Sequence, residues 1–213
     1  MQTDLARLRR EYSSQPLDTE HLLPDPVAQF EKWLEEAVKA GITEPNAMTL
    51  ATVSESGRPS QRVVLLKGIE NGQFVFYTNY QSGKGKELLQ NPYCALNFFW
   101  AELERQVRIE GLAKRVSDEK ASEYFRIRPR GAQIGAWASP QSAVIEKREL
   151  LEQRYRELEK KFEGREIPRP MQWGGYEVLP FLVEFWQGRP NRLHDRLLYI
   201  KDEQEWIIRR LAP

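Results

Sequence analysis

The segment Asn191-Arg192-Leu193-His194-Asp195-Arg196 places three basic side chains at alternate positions. In an extended strand Arg192, His194 and Arg196 share one face, and Leu193, Asp195 and Leu197 take the other. Such a row repels itself unless an anion or acidic partners lie opposite, and planar guanidiniums suit phosphate. The plainer alternative is an exposed strand face neutralised by nearby carboxylates. His194 and Asp195 are chain neighbours and diverge on a strand, which disfavours a hydrolase-type acid-base pair.

Three further segments gather cations. Arg62-Val63-Val64-Leu65-Leu66-Lys67 brackets four apolar residues with positive charge, a pattern suited to a flat ring along a strand with a phosphate at one end. A core strand with snorkelling ends has the same pattern. Ser82-Gly83-Lys84-Gly85-Lys86 precedes a short predicted helix and offers backbone N–H groups and ammonium charge to phosphate. It lacks the P-loop spacing, and no Gly-x-Gly-x-x-Gly pattern is present, so triphosphate and Rossmann readings lose their support. In Tyr124-Phe125-Arg126-Ile127-Arg128-Pro129-Arg130, Tyr124 and Arg128 are spaced to share a helical face and grip one ligand. Leu8-Arg9-Arg10-Glu11-Tyr12 reads equally well as a ligand contact or a solvated arm.

Composition narrows the classes of function. Lys plus Arg (32) balances Asp plus Glu (31), so a dedicated nucleic-acid or anionic-membrane binder is disfavoured and any anion site must be local. Only two histidines are present, without metal-ligand spacing, and the single Cys94 lies in an apolar run as an inert thiol. The first thirty residues do not read as a secretory signal and no run approaches a membrane span, so the cytoplasm is the expected location.

The elements that must position these residues read as one domain, residues 24–213, behind an N-terminal arm, residues 1–23. Asp25-Pro26 starts an amphipathic helix whose Phe30, Trp33 and Ala37 recur at helical spacing until Gly41. Strands are predicted over 48–53, 61–67, 73–78, 93–100, 106–116, 176–186, 192–200 and 205–211, about eight in all. Short helices are predicted over 85–90 and, capped by Ser117, to about Ile127; Ser142 is expected to cap a longer charged helix to Phe162. Hairpin-linked strands without βαβ alternation favour a mainly β fold, an antiparallel barrel with appended helices.

Arg62-Val-Val-Leu-Leu-Lys67, Tyr77-Thr78-Asn79, Leu103-Glu-Arg-Gln-Val107, Tyr124-Phe-x-x-Arg-Pro-Arg130, Gln133-Ile-Gly-Ala-Trp137, Gln141-Ser142, Phe185-Trp-Gln-Gly188 and Arg192-Leu-His-Asp-Arg196, in this order and spacing, resemble the pyridoxine/pyridoxamine 5′-phosphate oxidase family. The resemblance runs from Leu8 to Pro213. It implies an FMN-binding split β-barrel of Greek-key type, working as a homodimer with FMN at the subunit interface. By the match, Arg62, Val63, Val64, Leu65, Leu66, Lys67, Tyr77, Thr78, Lys84, Gln106, Gln141, Ser142, Trp186 and Arg196 contact FMN. The family's substrate positions fall on Lys67, Tyr124, Arg128, Arg192, Leu193 and His194, with Ala132, Arg9, Arg10, Glu11 and Tyr12 as outer candidates. Arg192 and His194 are the catalytic candidates.

The implied reaction is oxidation of pyridoxamine or pyridoxine 5′-phosphate to pyridoxal 5′-phosphate by O2, with release of H2O2 and, from the amine, ammonia. The flavin supplies the redox chemistry, and the protein holds the two rings face to face. Two positions depart from the family pattern: Gly83 stands where relatives commonly carry Arg, and Ala132 where they carry Ser. Lys84, Lys86 and Arg130 are the candidates to compensate. The alternatives are a different split-barrel flavin oxidoreductase and a non-catalytic flavin or pyridoxal phosphate carrier.

Overall fold

A computed structural model of the chain describes residues 11–13 and 16–213. Arg9 and Arg10 therefore lie outside the described residues, while Glu11 and Tyr12 lie within them. Nine strands are present among the described residues: β1 Ala47–Val53, β2 Pro59–Leu65, β3 Gly68–Glu70, β4 Gln73–Asn79, β5 Tyr93–Trp100, β6 Arg105–Arg115, β7 Trp173–Gln187, β8 Asp195–Asp202 and β9 Glu205–Leu211. They form one sheet in the order β2-β1-β5-β6-β7-β4-β3, with β8 pairing to β7 and β9 to β8. The β3-β4, β4-β7, β7-β8 and β8-β9 ladders are antiparallel. The chain divides into two compact units.

The first unit comprises the described residues up to Thr49, Ala95–Glu110 and Pro180–Pro213. Its helix α1, Pro26–Lys39, is capped by Asp25, whose Oδ1 accepts from Val27 N at 2.7 Å and Ala28 N at 3.1 Å. Phe30, Trp33 and Ala37 are buried, and Phe30 meets Phe98 while Trp33 meets Phe185 edge-on. Arg105 lies over the Trp33 ring and pairs with Glu36, fixing the helix at both places.

The second unit comprises Leu50–Cys94 and Gly111–Leu179. Its helices are α2 Gly83–Gln90, α3 Asp118–Ile127, α4 Arg130–Ala138 and α5 Arg148–Lys161. The β3-β4 hairpin turns on Asn71-Gly72, both at positive φ, the pair that a tight primed turn requires. Phe125, Ile134, Phe162, Ile167 and Trp173 form the core beneath the helices. Buried Cys94 has its thiol pushed up to about 12 by burial.

Several expected elements differ. The charged helix starts at Arg148, since Ser142 sits at φ 71°, a left-handed conformation that cannot cap a helix. Helix α4 was not expected, because its two glycines weaken the pattern; Ile134 and Ala138, both buried, hold it by packing. Tyr124 and Arg128 do not share a helical face. Pro129 bars Arg128 from the α region, so α3 stops at Ile127 and Arg128 takes an extended conformation. The strand expected from Arg192 begins at Asp195, because Pro190–Arg192 forms a 3-10 turn with Asn191 and Arg192 at positive φ. The alternating face of Arg192, His194 and Arg196 is therefore not formed by strand geometry.

Candidate functional site

In the second unit a cavity of about 280 Å³ is lined by Val63, Val64, Leu65, Lys67, Tyr77, Thr78, Asn79, Lys84, Tyr124, Arg128, Gln141 and Trp173. Residues from β2, β4, α2, α3 and the Gln141 loop thus meet around one space. Two adjoining cavities share Asn79 and Gln141 with it: one reaches Gly83, Lys86 and Ser142, the other Ala132 and Ser139. Leu66 is buried and does not line the cavity.

Three aromatic rings form the apolar wall. Tyr77 stacks on Tyr124 with centroids 3.8 Å apart and on Trp173 at 5.5 Å, all three nearly parallel. Tyr77 faces Gly175 across the β4-β7 ladder, and a Cβ on Gly175 would stand 2.8 Å from the Tyr77 ring. The glycine is what lets the ring lie across the strand. Burial, with help from Glu70, pushes the Tyr77 phenol up to about 12, so it keeps its proton through the physiological range.

The Arg128 guanidinium sits 4.5 Å over the Trp173 ring, and its Nη1 is buried without a hydrogen-bond partner. Burial lowers its pKa, the signature of a cation held away from water. Gln133 fixes the turn that carries it, donating from Nε2 to the carbonyls of Phe125, Arg126 and Arg128. Asn79, Gln133 and Trp173 were not recognised as site residues from sequence. Trp173 could have been flagged as an aromatic beside Gly174-Gly175, where the backbone leaves room for rings.

Lys84 brings a cation to the polar end. Ser82 caps α2 through its hydroxyl, and Lys84 in the first turn is 7% exposed. Its ammonium donates to Thr78 Oγ1 at 3.1 Å and Ser82 Oγ at 3.4 Å, and burial lowers its pKa. Gln141 Oε1 accepts from Asn79 N at 3.2 Å, which ties its loop to β4. Arg62 turns instead to Ser60, Thr52 and Glu87, with Glu87 Oε2 at 3.4 Å. Of the candidates to compensate for Gly83, Arg130 is committed to the carbonyls of Phe162 and Arg165, whereas exposed Lys86 lines the same cavity as Gly83 and Ser142.

In the first unit, Tyr12, Trp186 and His194 form a second cluster. Trp186 and His194 lie 4.7 Å apart, and Tyr12 meets both edge-on at 5.6 and 5.5 Å. His194 Nδ1 accepts from Arg189 N at 3.1 Å, which leaves the ring proton on Nε2. Burial and the neighbouring Arg192 hold its pKa below the usual imidazole value. Arg192, Leu193 and Glu11 are exposed, and Gln106 on β6 is half-buried. Arg196 faces Trp186 across the β7-β8 ladder and pairs with buried Glu184. Asp195 accepts from Arg210 Nη1 and from Leu17 N.

Among the described residues no helix is long and apolar enough to cross a membrane, and no acidic, histidine or cysteine group is arranged to hold a metal. The family model described as pyridoxamine 5′-phosphate oxidase matches residues 34–162. That of the pyridoxine 5′-phosphate oxidase C-terminal dimerisation region matches 173–213. The pyridoxine/pyridoxamine 5′-phosphate oxidase of Acaryochloris marina is 56% identical over 212 residues, covering 100% of this chain and 97% of the relative. That of Rubrobacter xylanophilus is 58% identical over 210 residues, covering 99% and 97%. PhzG from Burkholderia lata 383, solved in complex with tetrahydrophenazine-1-carboxylic acid, is 30% identical with a TM-score of 0.89, covering 94% of this chain and 100% of that one. An FMN-binding protein from Nostoc punctiforme, 18% identical with a TM-score of 0.70 and covering 91% and 99%, shares the fold. The fold is therefore the split barrel with appended helices. The cavity suits a flat, phosphorylated cofactor such as FMN: it has a wall of parallel rings and a buried lysine whose hydrogen bonds go to hydroxyls. Sequence, fold and cavity together make the chain a member of the pyridoxine/pyridoxamine 5′-phosphate oxidase family.

Proposed function

We propose that the protein oxidises pyridoxamine 5′-phosphate or pyridoxine 5′-phosphate to pyridoxal 5′-phosphate in the formation or salvage of vitamin B6. The observation that carries this reading is the cavity in which Lys84 and Arg128, both desolvated cations, flank an aromatic wall. A buried guanidinium with an unpaired nitrogen calls for an anionic acceptor, and a phosphate ester supplies one.

When bound, FMN supplies the two-electron chemistry, with O2 as final acceptor, H2O2 as product and water releasing ammonia from the amine substrate. The chain's own residues bind and orient. In this reading Arg62 to Lys67, Tyr77, Thr78, Lys84, Gln141 and Ser142 hold the cofactor, joined by Gln106, Trp186 and Arg196. Lys67, Tyr124 and Arg128 grip the substrate phosphate, with Ala132 beside them. Arg192 and His194 stand nearest the reacting carbon, where His194 offers the proton on Nε2 and Arg192 a fixed positive charge. The working form is a homodimer with both subunits contributing to each FMN site, a reading supported by the C-terminal dimerisation region. The cytoplasm is the proposed location.

Purified protein supplied with FMN and pyridoxamine 5′-phosphate should take up oxygen and form pyridoxal 5′-phosphate, peroxide and ammonia in equal amounts. FMN binding without oxygen uptake would instead mark a carrier. The PhzG likeness supports one second reading, a split-barrel flavin oxidoreductase with another reductant. Turnover of a tetrahydrophenazine-type acid with none of either vitamer would favour it.

A further inference from the structure

Glu184 carries a carboxylate whose side chain is 4% exposed, on the same face of β7 as Trp186. Trp186 faces Arg196 across the ladder, so Glu184 is the diagonal neighbour of Arg196. The two side chains meet in a fork: Arg196 Nε donates to Oε1 at 2.8 Å and Nη2 to Oε2 at 3.2 Å. Arg108 on β6 donates from Nη1 to the same Oε2 at 2.9 Å. The one carboxylate is thus shared by two guanidiniums, which would repel each other without it.

Arg196 Nη1 also donates to the carbonyl of Ala212 at 3.0 Å. A guanidinium has five N–H donors. These contacts use one on each nitrogen, so among the described residues one donor on Nη1 and one on Nη2 remain for a ligand. We propose that Glu184 is a positioning residue, which fixes the Arg196 guanidinium so that its two remaining donors face the FMN site. A long arginine otherwise loses rotamer freedom on binding its ligand, and a buried bidentate partner removes most of that cost in advance. Arg108 has a separate part: it balances the charge of Glu184, which is why the carboxylate is tolerated at such low exposure.

This inference rests on Arg196 contacting FMN, and the test separates the two. FMN affinity of the apoprotein is measured by quenching of flavin fluorescence in the parent, Glu184→Gln, Arg196→Ala and the double variant, with thermal melting as the check on folding. The Gln side chain keeps the shape and removes the charge. Glu184→Gln should weaken FMN binding about tenfold or more, and in the Arg196→Ala background the same change should add little. If Arg196→Ala binds FMN as the parent does, the assignment of Arg196 to the cofactor fails. If Arg196→Ala weakens binding but Glu184→Gln does not, or if the two losses simply add, the positioning role is overturned. Should the Gln variant fail to fold, Glu184→Asp replaces it, keeping the charge but drawing it back by one methylene. Its affinity should fall only while Arg196 is present, and parental affinity overturns the proposal.

Discussion

The phenol ring of Tyr77 lies 3.8 Å from that of Tyr124 and 10° from parallel, joining strand β4 to helix α3 across the wall of the cavity. The Tyr77 ring lies where a side chain on the opposite strand would crowd it, since its ladder partner is Gly175 and a Cβ there would stand 2.8 Å from the ring.

Gly175→Ala should therefore displace the Tyr77 ring. The expected cost is about 1–3 kcal/mol of stability, typical of an overpacked site. Weaker FMN retention should accompany it. Thermal melting and flavin content of the purified variant check both, and unchanged values for both would show that the stack tolerates the methyl.

Alkaline pH offers a test of the buried phenol. Tyr77 is raised from 10.0 to about 12, so its protonated form is favoured in the folded protein. The stability this contributes is complete below pH 10 and lost as the pH climbs towards 12. Melting temperatures across that window should fall less steeply for Tyr77→Phe than for the parent. Parallel curves would place the titration elsewhere.

Arg128→Leu separates binding from structure. The guanidinium is desolvated with one nitrogen unpaired, so its removal should leave the melting temperature unchanged or raise it. KM for pyridoxamine 5′-phosphate should rise by about tenfold or more. A lower melting temperature with an unchanged KM would make Arg128 a structural residue.

His194 is held below its ordinary value of 6.5 by burial first and by Arg192 second. A depressed imidazole favours the neutral form, so its contribution to stability is present above pH 6.5 and lost as pH falls through the folded value. Arg192→Gln should move the His194 titration upward, as followed by NMR of the ring protons. No movement would show that Arg192 does not act on it electrostatically.

Gly83 is a departure that can be reversed. A Cβ there meets only Ser142 Oγ at 4.0 Å, so a longer side chain has room. Gly83→Arg should tighten FMN binding about tenfold if the cofactor phosphate lies in the Lys86 cavity, and Lys86→Ala should weaken it. FMN titration of both variants decides the point, and equal affinities for all three proteins would remove Lys86 from the site.

Local sequence signals, strand-forming residues and helix caps, placed β5 at Tyr93–Trp100, the Ser117 cap of α3 and the start of α1 after Asp25, because each depends on near neighbours. Helix α4 escaped notice because its stability comes from the packing of Ile134, not from local propensity. Motif order identified most of the cavity lining, yet Trp173 reaches Tyr77 only through the β4-β7 ladder, a pairing between distant parts of the chain. The basic face expected at Arg192, His194 and Arg196 failed for a local reason, since the turn begun at Pro190 precedes the strand. Arg196 found a carboxylate on the adjacent strand, which alternation within one strand cannot foresee.

The central claim is that this fold holds FMN in reach of a phosphorylated B6 vitamer. Anaerobic addition of pyridoxamine 5′-phosphate to the FMN-loaded protein should bleach its yellow absorbance, and admitting air should restore the colour with formation of pyridoxal 5′-phosphate. A well-folded protein that takes up no FMN, or a loaded one whose colour persists with both vitamers, would contradict the account.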